Sequence, residues 1–175
     1  GKVYVVHNPK FTVFKDGGDV GTDPEDLIES TNPNPWALDW NDHVPANFKL
    51  AMDGYFYMAV GDKGIYNAKT KDGRTINLHG GGILRIKPDG TGPEVFFPGV
   101  RNILDVAITS EDEIFTYDNT DDGLGWWTRF THHVPTGYYG YPYDYHPHPE
   151  RHLPRISEHQ GGSPVGAACY NEAAW

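Results

Sequence analysis

A histidine with a carboxylate in reach is the least equipment a protein needs for a general base at neutral pH, because imidazole titrates near that pH and the carboxylate fixes its tautomer. The stretch from Asp42 to Asp62, DHVPANFKLAMDGYFYMAVGD, can supply the pair from its two ends. It opens on His43 beside Asp42 and closes on Gly61-Asp62. Between these ends, apolar and polar side chains alternate on either side of Asp53-Gly54, a dipeptide that favours a tight turn. A β-hairpin here returns both ends to one end of a sheet, so the pattern predicts that His43 faces Asp62.

Other ligand-type side chains read first as structural. The loop from Asp16 through Asp19 to Asp23 offers alternating oxygens of a kind that can hold calcium. Its spacing departs from the helix-flanked calcium loop, so a solvated turn is the expectation. His79, ahead of three glycines, and the pair His132-His133 lack the partners a zinc site needs. His146, His148, His152 and His159 fall in a proline-rich loop and read as solvated, with a haem partner or a crevice lid as the functional alternative. The single cysteine, Cys169, excludes an intrachain disulfide and is expected to be a small buried hydrophobe.

The elements that must position these groups are short strands. KVYVV (2–6) and FTVF (11–14) flank the turn signal Asn8-Pro9. DPEDLIES (23–30) is the best short helix candidate in a chain with no long 3.6-residue periodicity. TNPNPWALDWN (31–41) is a Pro- and Trp-rich connection, and residues 63–82 form a polar excursion. Residues 83–97 read as a hairpin tipped by Pro88-Asp89-Gly90, and residues 103–119 as another turning at Glu111-Asp112. WWTRFTHHV (126–134) alternates like a strand, and 137–154 is an aromatic loop. Trp126, Trp127 and the tyrosines of 138–145 suit packing between sheets, with one or two available to stack on a sugar.

Composition bounds the rest. The chain has 175 residues, enough for one domain with a core. Its 21 glycines and 14 prolines fit many short strands joined by turns. A formal charge of −10 argues against nucleic acid and anionic membranes, which require basic patches. No apolar run is long enough to span a bilayer. The opening inside an apparent strand at Gly1 leads one to expect a piece of something longer.

One pattern recurs. GKVYVVHN, GYFYMAVGD and DEIFTYDN, beginning at residues 1, 54 and 112, share a turn residue, an apolar strand and a polar tip. KFTVFKDGG and GILRIKPDG repeat a second pattern after the first. Such periods of short strands are those of β-propeller blades. The expected fold is all-β: a partial β-propeller, about three blades of a six-bladed ring, each blade a four-stranded antiparallel sheet. Blade-like repeats are expected near 1–40, 41–100 and 101–175 of a single fragment, 1–175.

The ordered motifs DHVPANFKLAMDGYFYMAVGDKG, GGGILRIKPDGTG, GVRNILDVAITSEDEIFTYDN and GYYGYPY resemble the glucose/sorbosone dehydrogenase family of six-bladed propellers, whose soluble members use pyrroloquinoline quinone (PQQ). The nearest resemblance is to the membrane-bound dehydrogenase branch of planctomycete-like bacteria, whose members are often fused to a haem-binding domain. The likeness covers roughly residues 40–145. It implies that His43 takes the proton of a substrate hydroxyl and that Asp62 pairs with it. It implies that Arg101 and Asn102 contact the quinone. Asn119, Thr120 and Asp121 fall where the family's loop supplies cofactor contacts and backbone oxygens for Ca²⁺. The family's Arg-Asn is commonly followed by Pro-Gln-Gly, here by Ile103-Leu104-Asp105, and Thr120-Asp121 replace a Gly-Pro of its calcium loop.

The implied activity is oxidation of a sugar or other alcohol with PQQ and Ca²⁺, in the periplasm or outside the cell, with electrons leaving to a cytochrome c, a haem domain or another acceptor. Two alternatives stand beside it. One is a non-catalytic propeller that binds partners or carbohydrate. The other is a calcium-dependent lactonase or lyase propeller.

Overall fold

The computed structural model describes residues 1–29, 42–121 and 126–172, with the side chains of Asp121 and Trp126 outside that description. The Pro- and Trp-rich connection read at 31–41 lies outside the described residues. The described chain is all-β, with one short 3₁₀ turn at Pro149–Arg151. Strands β1 (Lys2–His7), β2 (Lys10–Asp16) and β3 (Gly21–Ile28) form a first antiparallel sheet in chain order. A second sheet, β4-β5-β8-β9, comprises β4 (Pro45–Leu50), β5 (Phe56–Val60), β8 (Gly81–Ile86) and β9 (Glu94–Val100). Between β5 and β8 the chain makes a separate two-stranded hairpin, β6 (Ile65–Lys69) and β7 (Thr75–Leu78). In the third sheet β12 (Ile114–Asp121) pairs with β10 (Asn102–Ile103) and β11 (Ala107–Ile108) on one side. On the other side it pairs with β13 (Trp126–His133), which continues to β14 (Ser157–His159). The array is a partial β-propeller with the three sheets as its blades. Its sheets carry three, four and five strands rather than four throughout.

The recurring strand is the same structural part each time. β1, β5 and β12 each stand third from the last strand of their sheet, and the second repeated pattern falls on β2 and β8, their partners.

The second sheet is buried on both faces, which explains a strand without polar positions. Phe56, Met58 and Val60 of β5 pack with Phe11, Val13, Leu27 and Ile28 of the first sheet. Tyr57 and Ala59, on the opposite face, pack with Ile103 and Ile114 of the third. The period of two along β5 therefore sends alternate residues into different cores. The expected apolar–polar alternation holds in neither strand of the hairpin: all five residues of β5 are buried, and in β4 a register shift leaves Leu50 exposed.

Three expectations are corrected here. DPEDLI is strand, not helix: β3 pairs with β2 from Gly21 to Ile28. Asp26 accepts bonds from Lys10 and Thr12, and Leu27 and Ile28 enter the core at 1 % and 0 % exposure. Pro24 is tolerated because β3 is an edge strand, whose outward N–H groups need no ladder partner. The polar excursion at 63–82 contains the β6–β7 hairpin, whose Ile65, Ala68, Ile76 and Leu78 complete the first core. Cys169 is exposed and bonds Asn171 Oδ1 at 3.0 Å, since residues 160–172 carry no strand to bury it.

Candidate functional site

The hairpin β4–β5 turns at Asp53-Gly54 and brings His43 back onto Asp62. His43 Nδ1 and Asp62 Oδ1 lie 2.5 Å apart, with the side chains 16 % and 22 % exposed. The approach has a backbone cause. His43 sits in the left-handed region at φ 55°, sparse for a residue with a side chain. A Cβ on Gly61 would lie 2.4 Å from the His43 carbonyl carbon, so only glycine admits this contact. The Gly61 and Lys63 amides donate to Val44 and His43 carbonyls at 3.4 and 3.2 Å, closing the open end of the hairpin. Lys63 Nζ reaches Asp42 Oδ1 at 2.5 Å, and this bond holds the Asp42 carboxyl below its usual range.

Arg101 follows β9 and is 6 % exposed. Its backbone N–H donates to Asp118 Oδ2 at 3.0 Å, and its guanidinium donates to Asn119 Oδ1 at 2.6 Å. Asn119 Nδ2 lies 3.4 Å from Ser163 Oγ. Asn102 stands opposite Asn119 in the β10–β12 register, and its buried Oδ1 has no hydrogen-bond partner among the described residues. Such an atom is costly unless a donor arrives.

Tyr141 joins the two clusters. Its phenol interacts with Asp62 and with Arg101, so the dyad and the guanidinium share one neighbourhood. Burial pushes the hydroxyl up to about 12; the Asp62 charge adds to this and the Arg101 charge opposes it. At neutral pH the phenol stays protonated. Chemistry sets the bond directions: it donates to the carboxylate and accepts from the guanidinium. The sequence offered Tyr141 only as one of several tyrosines suited to packing between sheets or to stacking on a sugar. Its partners follow β5 and β9, far upstream in the sequence, so no local spacing marks it.

Arg129, also not foreseen, builds the floor beneath. It is 1 % exposed on β13. Its Nε donates to Asp118 Oδ1 at 2.9 Å and one terminal nitrogen to Asp118 Oδ2 at 3.2 Å. The terminal nitrogens also donate to the carbonyls of Tyr139 at 2.7 Å and Gly99 at 2.9 Å, and the guanidinium lies 4.3 Å from the Tyr145 ring centroid. Asp118, so held, accepts the Arg101 amide. Gly99, at φ 102°, is where the aromatic loop docks: its carbonyl takes the Tyr141 N–H at 3.0 Å, and a Cβ would lie 2.5 Å from the Tyr139 nitrogen. One buried guanidinium thus fixes both Arg101 and the loop that carries Tyr141.

Asn119, Thr120 and Asp121 do not form a turn. β12 runs through all three, which pair with Thr128, Trp127 and Trp126. The Thr120 side chain is fully buried, and its hydroxyl donates to the Trp127 carbonyl at 3.3 Å. Residues 122–125, which follow them, lie outside the described residues. Among the described residues no three His, Cys, Asp or Glu side chains gather as a metal site. His79 bonds two tyrosines, His132 bonds Glu113, and His133 bonds Thr116. The acidic run after Asp16 is a turn closed by the Gly17 amide on the Val20 carbonyl.

No protein-family model matches the chain, and no curated protein matches it. Among solved structures it resembles the PQQ-bound form of an aldose sugar dehydrogenase from Streptomyces coelicolor, with a TM-score of 0.66 and 19 % identity. The match covers 96 % of this chain and 52 % of the other, so the chain spans about half the length of that structure. At this identity the likeness shows the fold, that of a PQQ sugar-dehydrogenase-like propeller.

Proposed function

We propose that the chain is part of a quinone-dependent dehydrogenase that oxidises a sugar or another alcohol, with PQQ as its cofactor and His43 as its general base. The observation that carries this reading is the gathering of His43, Asp62, Tyr141 and Arg101 from three sheet-borne segments. Asp62 engages His43 Nδ1, which sets that nitrogen as the donor and leaves Nε2 to take the hydroxyl proton. The proton then resides on an imidazolium that Asp62 stabilises. Arg101, held by Asn119 and Asp118, offers a fixed positive charge against negative charge growing on a nearby acceptor.

PQQ supplies the hydride acceptor that no side chain provides. The residues present suit it in part. The buried Arg101 guanidinium would pair with an anionic quinone, and Asn102 Oδ1 would accept from a ring N–H. The described residues assemble no calcium cage, so Ca²⁺ is carried by the sequence resemblance alone and enters no step here. The same resemblance supports the membrane-bound dehydrogenase branch, a cytochrome c or haem domain as electron acceptor, and a periplasmic or extracellular setting.

The test is to load the full-length protein with PQQ and Ca²⁺ and scan aldoses with a dye acceptor. Quinone-dependent turnover that falls by about two to four orders of magnitude in His43→Ala supports the reading. Turnover without quinone replaces it with a calcium-dependent lactonase or lyase. No turnover, with glycan binding retained, replaces it with a binding module.

A further inference from the structure

Residues 160–172 form no strand, yet they are fastened at three places. The Gln160 carbonyl takes the Thr128 hydroxyl at 3.4 Å, and Ser163 Oγ lies 3.4 Å from Asn119 Nδ2. The tightest hold is at Ala167. Its N–H donates to Asp105 Oδ2 at 3.2 Å, and its carbonyl accepts from Lys49 Nζ at 2.7 Å. Lys49 Nζ and Asp105 Oδ2 are themselves paired at 3.1 Å. One ion pair therefore engages both polar groups of a single residue's backbone, as a neighbouring strand would. The other Asp105 oxygen accepts from Asn47 Nδ2 at 3.1 Å and from the Val106 amide at 2.8 Å, and the side chain is only 12 % exposed. Asn47 and Lys49 stand on β4, and Asp105 stands between β10 and β11, so the clamp closes across the seam between the second and third sheets. The proposed reaction uses none of these groups.

We infer that Asp105 and Lys49 are positioning residues for Arg101: their grip on Ala167 seats residues 160–167, and Ser163 of that segment sets the Asn119 amide that holds the guanidinium. The anion that Arg101 then meets rests on the dehydrogenase reading; the chain of contacts does not. Asn119 is 4 % exposed, and its Oδ1 accepts from Arg101 at 2.6 Å. A side-chain amide has one accepting end and one donating end, and turning it over exchanges them. Turned over, Asn119 would aim N–H groups at a guanidinium that has only N–H groups to offer. The Ser163 hydroxyl, by accepting from Nδ2, favours the orientation that keeps Oδ1 on Arg101. Ser163 is exposed and belongs to no strand, so its place depends on what ties the segment down. Ala167 lies four residues beyond it, and the bonds there carry charge on both the donor and the acceptor side, which makes them stronger than neutral ones. Asp105 also lies four residues after Arg101, so the clamp hangs from the same short stretch as the guanidinium it serves.

The experiment compares Asp105→Asn, Lys49→Met, Ser163→Ala and Ser163→Thr in the full-length protein. Hydrogen exchange reads the seat of residues 160–167 without cofactor, and quenching of tryptophan fluorescence reads PQQ affinity. Asp105→Asn and Lys49→Met should speed exchange across the segment and weaken PQQ. Ser163→Ala should leave the exchange as it is and weaken PQQ by roughly two- to twelvefold, the worth of one hydrogen bond. Ser163→Thr, which keeps the hydroxyl, should restore the affinity. Faster exchange in the clamp variants with PQQ affinity unchanged makes the segment a strap alone and overturns the positioning role, while the dehydrogenase reading stands. Exchange that neither clamp variant alters overturns it as well. A wild-type protein that binds no PQQ removes the dehydrogenase reading, and the Arg101 side-chain N–H resonance then decides. A shift of that resonance in both Ser163→Ala and Asp105→Asn keeps the chain of contacts, and an unmoved resonance ends it.

Discussion

Two of the molecule's paired groups differ in their access to water. His43–Asp62 stands at 2.5 Å with its side chains 16 % and 22 % exposed; Arg129–Asp118 stands at 2.9 Å with 2 % and 0 %. The first can exchange a proton with solvent or substrate. The second cannot, because guanidinium does not deprotonate and its surroundings are closed. A dry pair contributes little net stability, since desolvation offsets its attraction, but removing one partner strands the other. The contrast separates two tasks. The wet pair is fitted for chemistry, and the dry pair sets where Arg101 and Tyr141 stand.

Single substitutions can break that contrast. His43→Gln should cost two to four orders of magnitude in kcat/KM, as for a lost general base, and shift the thermal midpoint by no more than a few degrees. Arg129→Met should do the reverse in kind. It leaves the Asp118 carboxylate buried without its cation, at a cost of about 3–5 kcal/mol read from urea unfolding. If Arg129→Met keeps its stability, the floor beneath the site is not what holds it. If His43→Gln unfolds the protein, the wet pair is structural too.

The dyad was legible because its whole frame is local. A hairpin, an Asp-Gly turn and a glycine at the contact all fall within residues 42–62. Arg129 was not, because WWTRFTHH reads as a strand with polar residues facing water, and the acceptors that bury Arg129 come from β9, β12 and the aromatic loop. The β6–β7 hairpin was hidden for a related reason: its four buried side chains are separated by lysines and asparagines on the outer face. In DPEDLI the acidic residues looked like a first helical turn. Tertiary partners, Lys10 and Thr12, fixed the segment as an edge strand instead.

The dry region also has its own pH signature. His133 is 2 % exposed, stacks on Phe97 with centroids 3.7 Å apart, and bonds the Thr116 hydroxyl through Nε2 at 2.7 Å. Burial, then the charges of Arg129 and His132, holds it well below the usual histidine range. The native state keeps it neutral while the unfolded chain takes up a proton near pH 6.5. Its contribution is therefore intact above that pH and lost as pH falls below it, by about 1.4 kcal/mol per pH unit until the native form also protonates. In His133→Gln, which keeps a polar partner for Thr116 and cannot titrate, urea stability should fall less steeply from pH 6.5 to 5. An unchanged slope would mean that the histidine does not stay neutral in the fold.

The smallest effect probes the link between the two regions. Tyr141 is seated by the dry pair, through Gly99, and touches the wet one at Asp62. Tyr141→Phe removes one hydroxyl and keeps the ring, so stability should change by about 0.5–1.5 kcal/mol, the worth of one hydrogen bond. Asp62 also loses a donor, so kcat should fall, by no more than about tenfold. An unchanged kcat with lowered stability would leave Tyr141 as packing between blades. A lowered kcat with stability held makes it the point through which the closed floor acts on the open dyad.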